Sequence, residues 1–146
     1  MREIDTLIIH CSAVEYGNVE LYKKWHLDRG WDDIGYHFVI LNSYPKQDMW
    51  EYKTPNFESD GVLEIGRDVQ ICGAHTKNHN EKSIGICLVG DRSFSQNQYK
   101  TLLTLVKTLS SIYKIKIIKG HYEYDTGKAQ GKTCPNIDMD YLRKIL

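Results

Sequence analysis

The stretch Ser83 to Asp91, "SIGICLVGD", constrains the fold more than any other. It is apolar on both faces, as a strand is when protein covers it on each side, so it belongs in the middle of a sheet. Four other runs supply candidate neighbours. "TLIIHC" (6–11) is short, apolar and β-branched, and His10 sits near its end. "GYHFVIL" (35–41) alternates, which places Tyr36, Phe38 and Ile40 on one face and His37, Val39 and Leu41 on the other. "VLEIGRD" (62–68) reads as a returning strand. "KIKIIKG" (114–120) alternates lysine with isoleucine, breaks at Gly120 and delivers His121 at its end.

Helical spacing fills the gaps between these strands. Val19, Tyr22, Trp25 and His26 recur within 18–29, with Asn18 as N-cap and Gly30 as the stop. Ser95 stands three residues before Gln98, a capping box, and opens a helix whose apolar face runs through Tyr99, Leu102, Leu103, Val106, Leu109, Ile112 and Tyr113. Asp138 caps a short last helix, "MDYLRKIL". The stretch 42–61 is too long for a hairpin connection and, with two prolines and many aromatics, reads as an elaborated surface loop that could contact a substrate. The expected architecture is one α/β domain over residues 1–146, with a central mixed β-sheet flanked by helices. A chain of 146 residues can bury roughly 68–70% of its unfolded surface, enough for one core.

Charge excludes whole classes of partner. Nineteen basic side chains balance nineteen acidic ones, so no global field draws the protein to nucleic acid or to an anionic membrane. The apolar run after the charged start is only Leu7, Ile8 and Ile9. That is shorter than a signal peptide or a membrane helix requires, so cytoplasmic synthesis without a signal peptide and no membrane insertion are expected. Cys11, Cys72, Cys87 and Cys134 form no C-x-x-C pair, and a reducing cytoplasm keeps such thiols free.

His10 and His121 both end strands, and Cys134 follows in a Gly- and Pro-bounded loop, "GKTCPN". Two imidazoles and a thiolate, with a fourth position left to water, are how a catalytic zinc site is built. Spacing alone leaves other readings open: a satisfied core histidine at His10, and at Cys134 a buried thiol, a disulfide half or a nucleophile.

A set of short motifs narrows these readings. "IIHCSA" (8–13), "GWDDIGYHFVI" (30–40), "GRD" (66–68), "GAH" (73–75), "NEKSIGICLVG" (80–90), "GH" (120–121) and "KTCP" (132–135) occur in the order found in zinc-dependent N-acetylmuramoyl-L-alanine amidases of type 2. The chain resembles that family along nearly its whole length, with phage amidase-type lysozymes and peptidoglycan recognition proteins as relatives. The resemblance implies a peptidoglycan recognition protein-like fold and hydrolysis of the amide joining N-acetylmuramic acid to the L-alanine of the stem peptide. It implies a phage or prophage endolysin that acts as a monomer on the cell wall after release. It also implies a Zn2+ held by His10, His121 and Cys134.

By the same resemblance Tyr36 is the catalytic tyrosine and Lys132 helps to stabilise the oxyanion. His75 is a candidate substrate contact in the groove. In other branches a glutamate occupies the position of Cys87; its absence shifts more of the work to Tyr36. His26 and His79 are expected at the surface or in helix packing, and Cys11 is expected to point away from its neighbour as a buried apolar residue. Arg67 and Asn80 lie in family motifs, where structural hydrogen bonding competes with substrate contact. The loop 43–60 and the segment between His121 and Cys134 are both longer than in short phage enzymes. Two other functions stay in play: a noncatalytic peptidoglycan-binding module, and a hydrolase using Cys134 as nucleophile.

Overall fold

The computed structural model describes residues 1–124 and 133–146. Five strands form one sheet: β1 (Thr6–Cys11), β2 (Phe38–Ile40), β3 (Leu63–Ile65), β4 (Ser83–Leu88) and β5 (Ile117–Gly120), in the order β3-β2-β4-β1-β5. β4 is the middle strand, flanked in parallel by β1 and β2, and every one of its residues is buried. β5 runs parallel to β1 at one edge, and β3 runs antiparallel to β2 at the other. The sheet is therefore mixed, with β1, β2, β4 and β5 all pointing the same way.

Among the described residues four α-helices accompany the sheet: α1 (Val19–Asp28), α2 (Gln47–Glu51), α3 (Gln96–Ile112) and α4 (Met139–Ile145). Their ends follow the local chemistry. Asn18 and Asp138 accept backbone N–H groups at the starts of α1 and α4, and the Ser95–Gln98 capping box is complete, so donors that a helix start leaves unpaired are satisfied.

The two faces of the sheet are covered differently. Leu7 and Ile9 of β1 and Ile84, Ile86 and Leu88 of β4 join Leu102, Leu105, Val106 and Leu109 of α3, with Met139 and Leu142 of α4, in a large apolar core. On the other side Tyr22 of α1 packs with Ile34, Val39, Leu41, Cys87 and Val89 in a smaller cluster.

Three expectations are corrected. Ladder pairing in β2 begins only at Phe38. Residues 35 and 36 bond to loops instead, the Tyr36 carbonyl accepting Arg67 N–H at 2.9 Å and the Gly35 carbonyl accepting Ala74 N–H at 3.1 Å. Freed from the pleat, Tyr36 packs against the Val39 and Leu41 cluster rather than with Phe38 and Ile40. The stretch 42–61 is not wholly irregular, since it holds α2 and a 3-10 turn, Phe57–Ser59, capped by the Asn56 side chain. Ile112, placed on the buried face of α3 by spacing, is 64% exposed because it lies in the helix's last turn, beyond the sheet.

Candidate metal centre and active site

Strand register brings the two histidines together. Ile9 of β1 lies opposite Gly120 of β5, so His10 and His121, each one residue further on, emerge at the same edge of the sheet. Both are buried, and their ring centroids are 4.7 Å apart. Cys134 comes from the segment before α4. Its carbonyl accepts Tyr122 N–H at 2.9 Å, and Asn136, at φ +59°, donates through Nδ2 to the Asp91 carbonyl at 2.8 Å, tying this segment to the end of β4. The potential ligand atoms of His10, His121 and Cys134 all lie within 4.8 Å of one another.

The donor set fits a metal. Cys11 N–H donates to Cys134 Sγ at 3.0 Å, a bond that favours negative charge on sulfur. Against it, the hydrogen-bonded Cys11 thiol and burial push the Cys134 thiol up. A thiolate here needs a cation beside it, which a divalent metal among the three donors supplies. Cys11 is buried as expected, but its thiol does not simply point away into apolar packing. β1 ends at this residue, and the thiol meets Cys134 and, at 3.9 Å, Asn136 Nδ2.

Tyr36 stands beside this cluster, its ring 5.2 Å from that of His10. Burial holds its phenol well above the ordinary value, so the group keeps its proton and can donate. Cys87 lies opposite His10 in the β1–β4 register. Lys132 lies outside the described residues.

His75 is buried rather than presented on an open loop. Its Nδ1 is 2.9 Å from His10 Nε2, and its Nε2 is 3.3 Å from Ser83 Oγ. Burial pushes its pKa well below the ordinary value, so the ring is neutral. His37 accepts Gly85 N–H on Nδ1 at 3.0 Å, which puts its hydrogen on Nε2, 2.8 Å from the Ile71 carbonyl. Both its nitrogens are thus engaged away from the three converging donors. Asn80 Oδ1 accepts the N–H groups of His75 and Thr76, and buried Arg67 donates to the Ile34 and Cys72 carbonyls. Both serve structure.

The three donors sit in an open cleft of about 390 Å³. Its walls include residues that periodicity did not single out, because they leave the ends of elements rather than lie within them: Arg29 and Trp31 after α1, Asp91 after β4, and Asn136. His26 also faces the cleft instead of packing only within α1. Its Nδ1 accepts Gly35 N–H at 2.9 Å, and its ring is 4.5 Å from Trp31 and 5.8 Å from Tyr36. His79 stays peripheral, stacked on Tyr124 at 4.2 Å.

With this geometry in place, comparison with known proteins decides the family. The model of the N-acetylmuramoyl-L-alanine amidases, Amidase_2, matches residues 1–137. The chain belongs to that family. The endolysin of Escherichia phage T7 is 32% identical to this amidase-family chain over 146 residues, spanning 92% of the chain and 82% of the endolysin. Among solved structures, the N-acetylmuramoyl-L-alanine amidase LysC from Clostridium intestinale URNW shares the fold at a TM-score of 0.78 and 22% identity, covering 98% of this chain and 85% of LysC. A complex of tracheal cytotoxin with peptidoglycan recognition proteins LCa and LCx shares it at a TM-score of 0.71 and 21% identity, over 96% and 81% of the two chains. The family member described here is thus an α/β protein of peptidoglycan recognition protein type.

Proposed function

We propose that this protein hydrolyses the amide between N-acetylmuramic acid and L-alanine in peptidoglycan, using Zn2+ held by His10, His121 and Cys134. The observation that carries the proposal is the convergence of those three donors, from β1, the end of β5 and the segment before α4, at one cleft in a chain of the amidase family. Bound there, zinc would supply Lewis acidity, activating water and polarising the scissile carbonyl.

The chain's own groups do the rest. Tyr36, protonated and beside His10, donates a hydrogen bond where negative charge develops on the substrate oxygen. Lys132 has the companion role of placing a positive charge there. His26, Arg29 and Trp31 offer stacking and charge along the cleft wall, where a sugar and its stem peptide can be oriented. The similarity to a phage endolysin supports a role as an endolysin, working as a monomer of one catalytic domain over 1–146. It reaches the wall after release. No helix among the described residues is long and apolar enough to cross a membrane.

The test is digestion of purified cell walls with and without chelator, followed by mass identification of the new chain ends. Free muramic acid carboxyls and L-alanine amines are expected, lost on chelation and restored by zinc. Full activity after thorough zinc removal overturns the proposal, and if thiol alkylation then abolishes it, Cys134 is a nucleophile. Zinc binding with no new ends identifies a binding module.

A further inference from the structure

His75 is mounted with more care than a groove-lining residue needs. Asn80 Oδ1 pins its backbone by accepting the N–H groups of His75 and Thr76, each at 2.9 Å. Two glycines leave room for its ring: a Cβ on Gly85 would come within 2.6 Å of the His75 ring, and one on Gly73 within 2.7 Å. Separations this short would force the ring to move, so both positions favour a residue without a side chain.

The hydrogen bonds of the ring have a determined direction. Ser83 Oγ donates its one hydrogen to the His79 carbonyl at 2.7 Å, so towards His75 Nε2, at 3.3 Å, it can only accept. His75 therefore carries its hydrogen on Nε2 and accepts on Nδ1. The group 2.9 Å from that Nδ1 is His10 Nε2, which must then be the donor. Thr76 Oγ1 lies beside both nitrogens, 3.1 Å from His75 Nδ1 and 3.3 Å from His10 Nε2.

We propose that the chain His10–His75–Ser83–His79 is a positioning relay, which fixes His10 as the Nε2–H tautomer and turns its basic Nδ1 to the metal. In this inference, which rests on the metal site proposed above, His75 acts through His10 and does not touch the substrate. Outer partners that fix a ligating imidazole in this way raise its basicity and orient its ring. The relay is fastened to central strand β4 through Ser83, so the ligand's orientation is held by the most deeply buried part of the sheet.

Two measurements on the full chain test the relay, one on the apoprotein and one with zinc alone. In the metal-free protein, ¹⁵N-resolved NMR of the histidines should show His10 with its hydrogen on Nε2, and His75→Ala should give a mixture of tautomers. By chelator competition, His75→Ala should weaken zinc binding by about 10–100-fold. His75→Asn, whose Oδ1 can replace the lost acceptor, should recover most of that, and Ser83→Ala should cost less than His75→Ala. Thermal unfolding of each variant separates loss of fold from loss of affinity. An unchanged tautomer and unchanged zinc affinity in a folded His75→Ala protein overturn the relay, and a rise in KM for wall fragments alone would make His75 a substrate contact. If the wild-type protein binds no zinc, the metal site itself fails, and the apoprotein tautomer still decides whether His75 orients His10.

Discussion

The two faces of the central strand show what separates a core from an active site in this fold. Ile84, Ile86 and Leu88 of β4 look toward α3 and fill a dry apolar layer. Gly85 and Cys87 alternate with them on the opposite face, where Gly85 leaves space for the His75 ring and Cys87 packs in the cluster that Tyr36 joins. β1 repeats the division, with Leu7 and Ile9 in the apolar layer and His10 opposite Cys87. One face uses large side chains to exclude everything. The other uses small ones to admit a layer of imidazoles and a phenol.

If that division is right, substitutions on the two faces should fail in different ways. The largest effect is expected at the metal ligands. Cys134→Ser and His121→Ala should lose zinc and wall hydrolysis together, by more than the roughly 10–100-fold that losing an outer partner costs, as metal analysis and digestion assays will show. Tyr36→Phe should keep its zinc while turnover falls by roughly 10²–10³-fold, the usual cost of one oxyanion donor; metal loss in that variant would refute the tyrosine's assignment. On the dry face, Leu102→Ala should cost about 2–5 kcal/mol of stability by denaturant unfolding. Its turnover per folded molecule should stay unchanged.

The fourth expectation concerns acid. His37 is fully buried and its pKa is pushed down from 6.5 to about 4, chiefly by burial. The unfolded chain binds a proton there that the folded one refuses. The contribution is therefore fully present above pH 6.5, and it is lost as pH falls from there to about 4. That fall corresponds to roughly 3 kcal/mol. His37→Asn should flatten stability against pH over that window. An unaltered slope would show that His37 is not the group responsible.

Local chemistry made much of this legible from residues alone. β1 was readable because Thr6, Leu7, Ile8 and Ile9 are apolar or β-branched in succession, α3 because Ser95 and Gln98 announce its start, and the middle position of β4 because neither of its faces is polar. The convergence of His10 with His121 follows from strand ends and the resemblance together. Where spacing failed, tertiary bonds had intervened. Alternation misplaced Tyr36 because its carbonyl is taken by Arg67 N–H rather than by a strand partner. The bond from His75 to His10 left no trace in periodicity, since it joins residues 65 positions apart through the third dimension. The large–small alternation of "IGICL" was the one available sign that the second face of β4 accommodates something other than helix.

The neighbouring placement of β1 and β5 has an evolutionary corollary. The long span of chain between His10 and His121 can lengthen or shorten in its loops, the excursion around α2 among them, without altering how far apart the two imidazoles stand, because β1–β5 pairing sets that spacing. Cleft walls can be rewritten for a different wall polymer while the floor is inherited unchanged. Selection can therefore explore specificity and chemistry as separate problems.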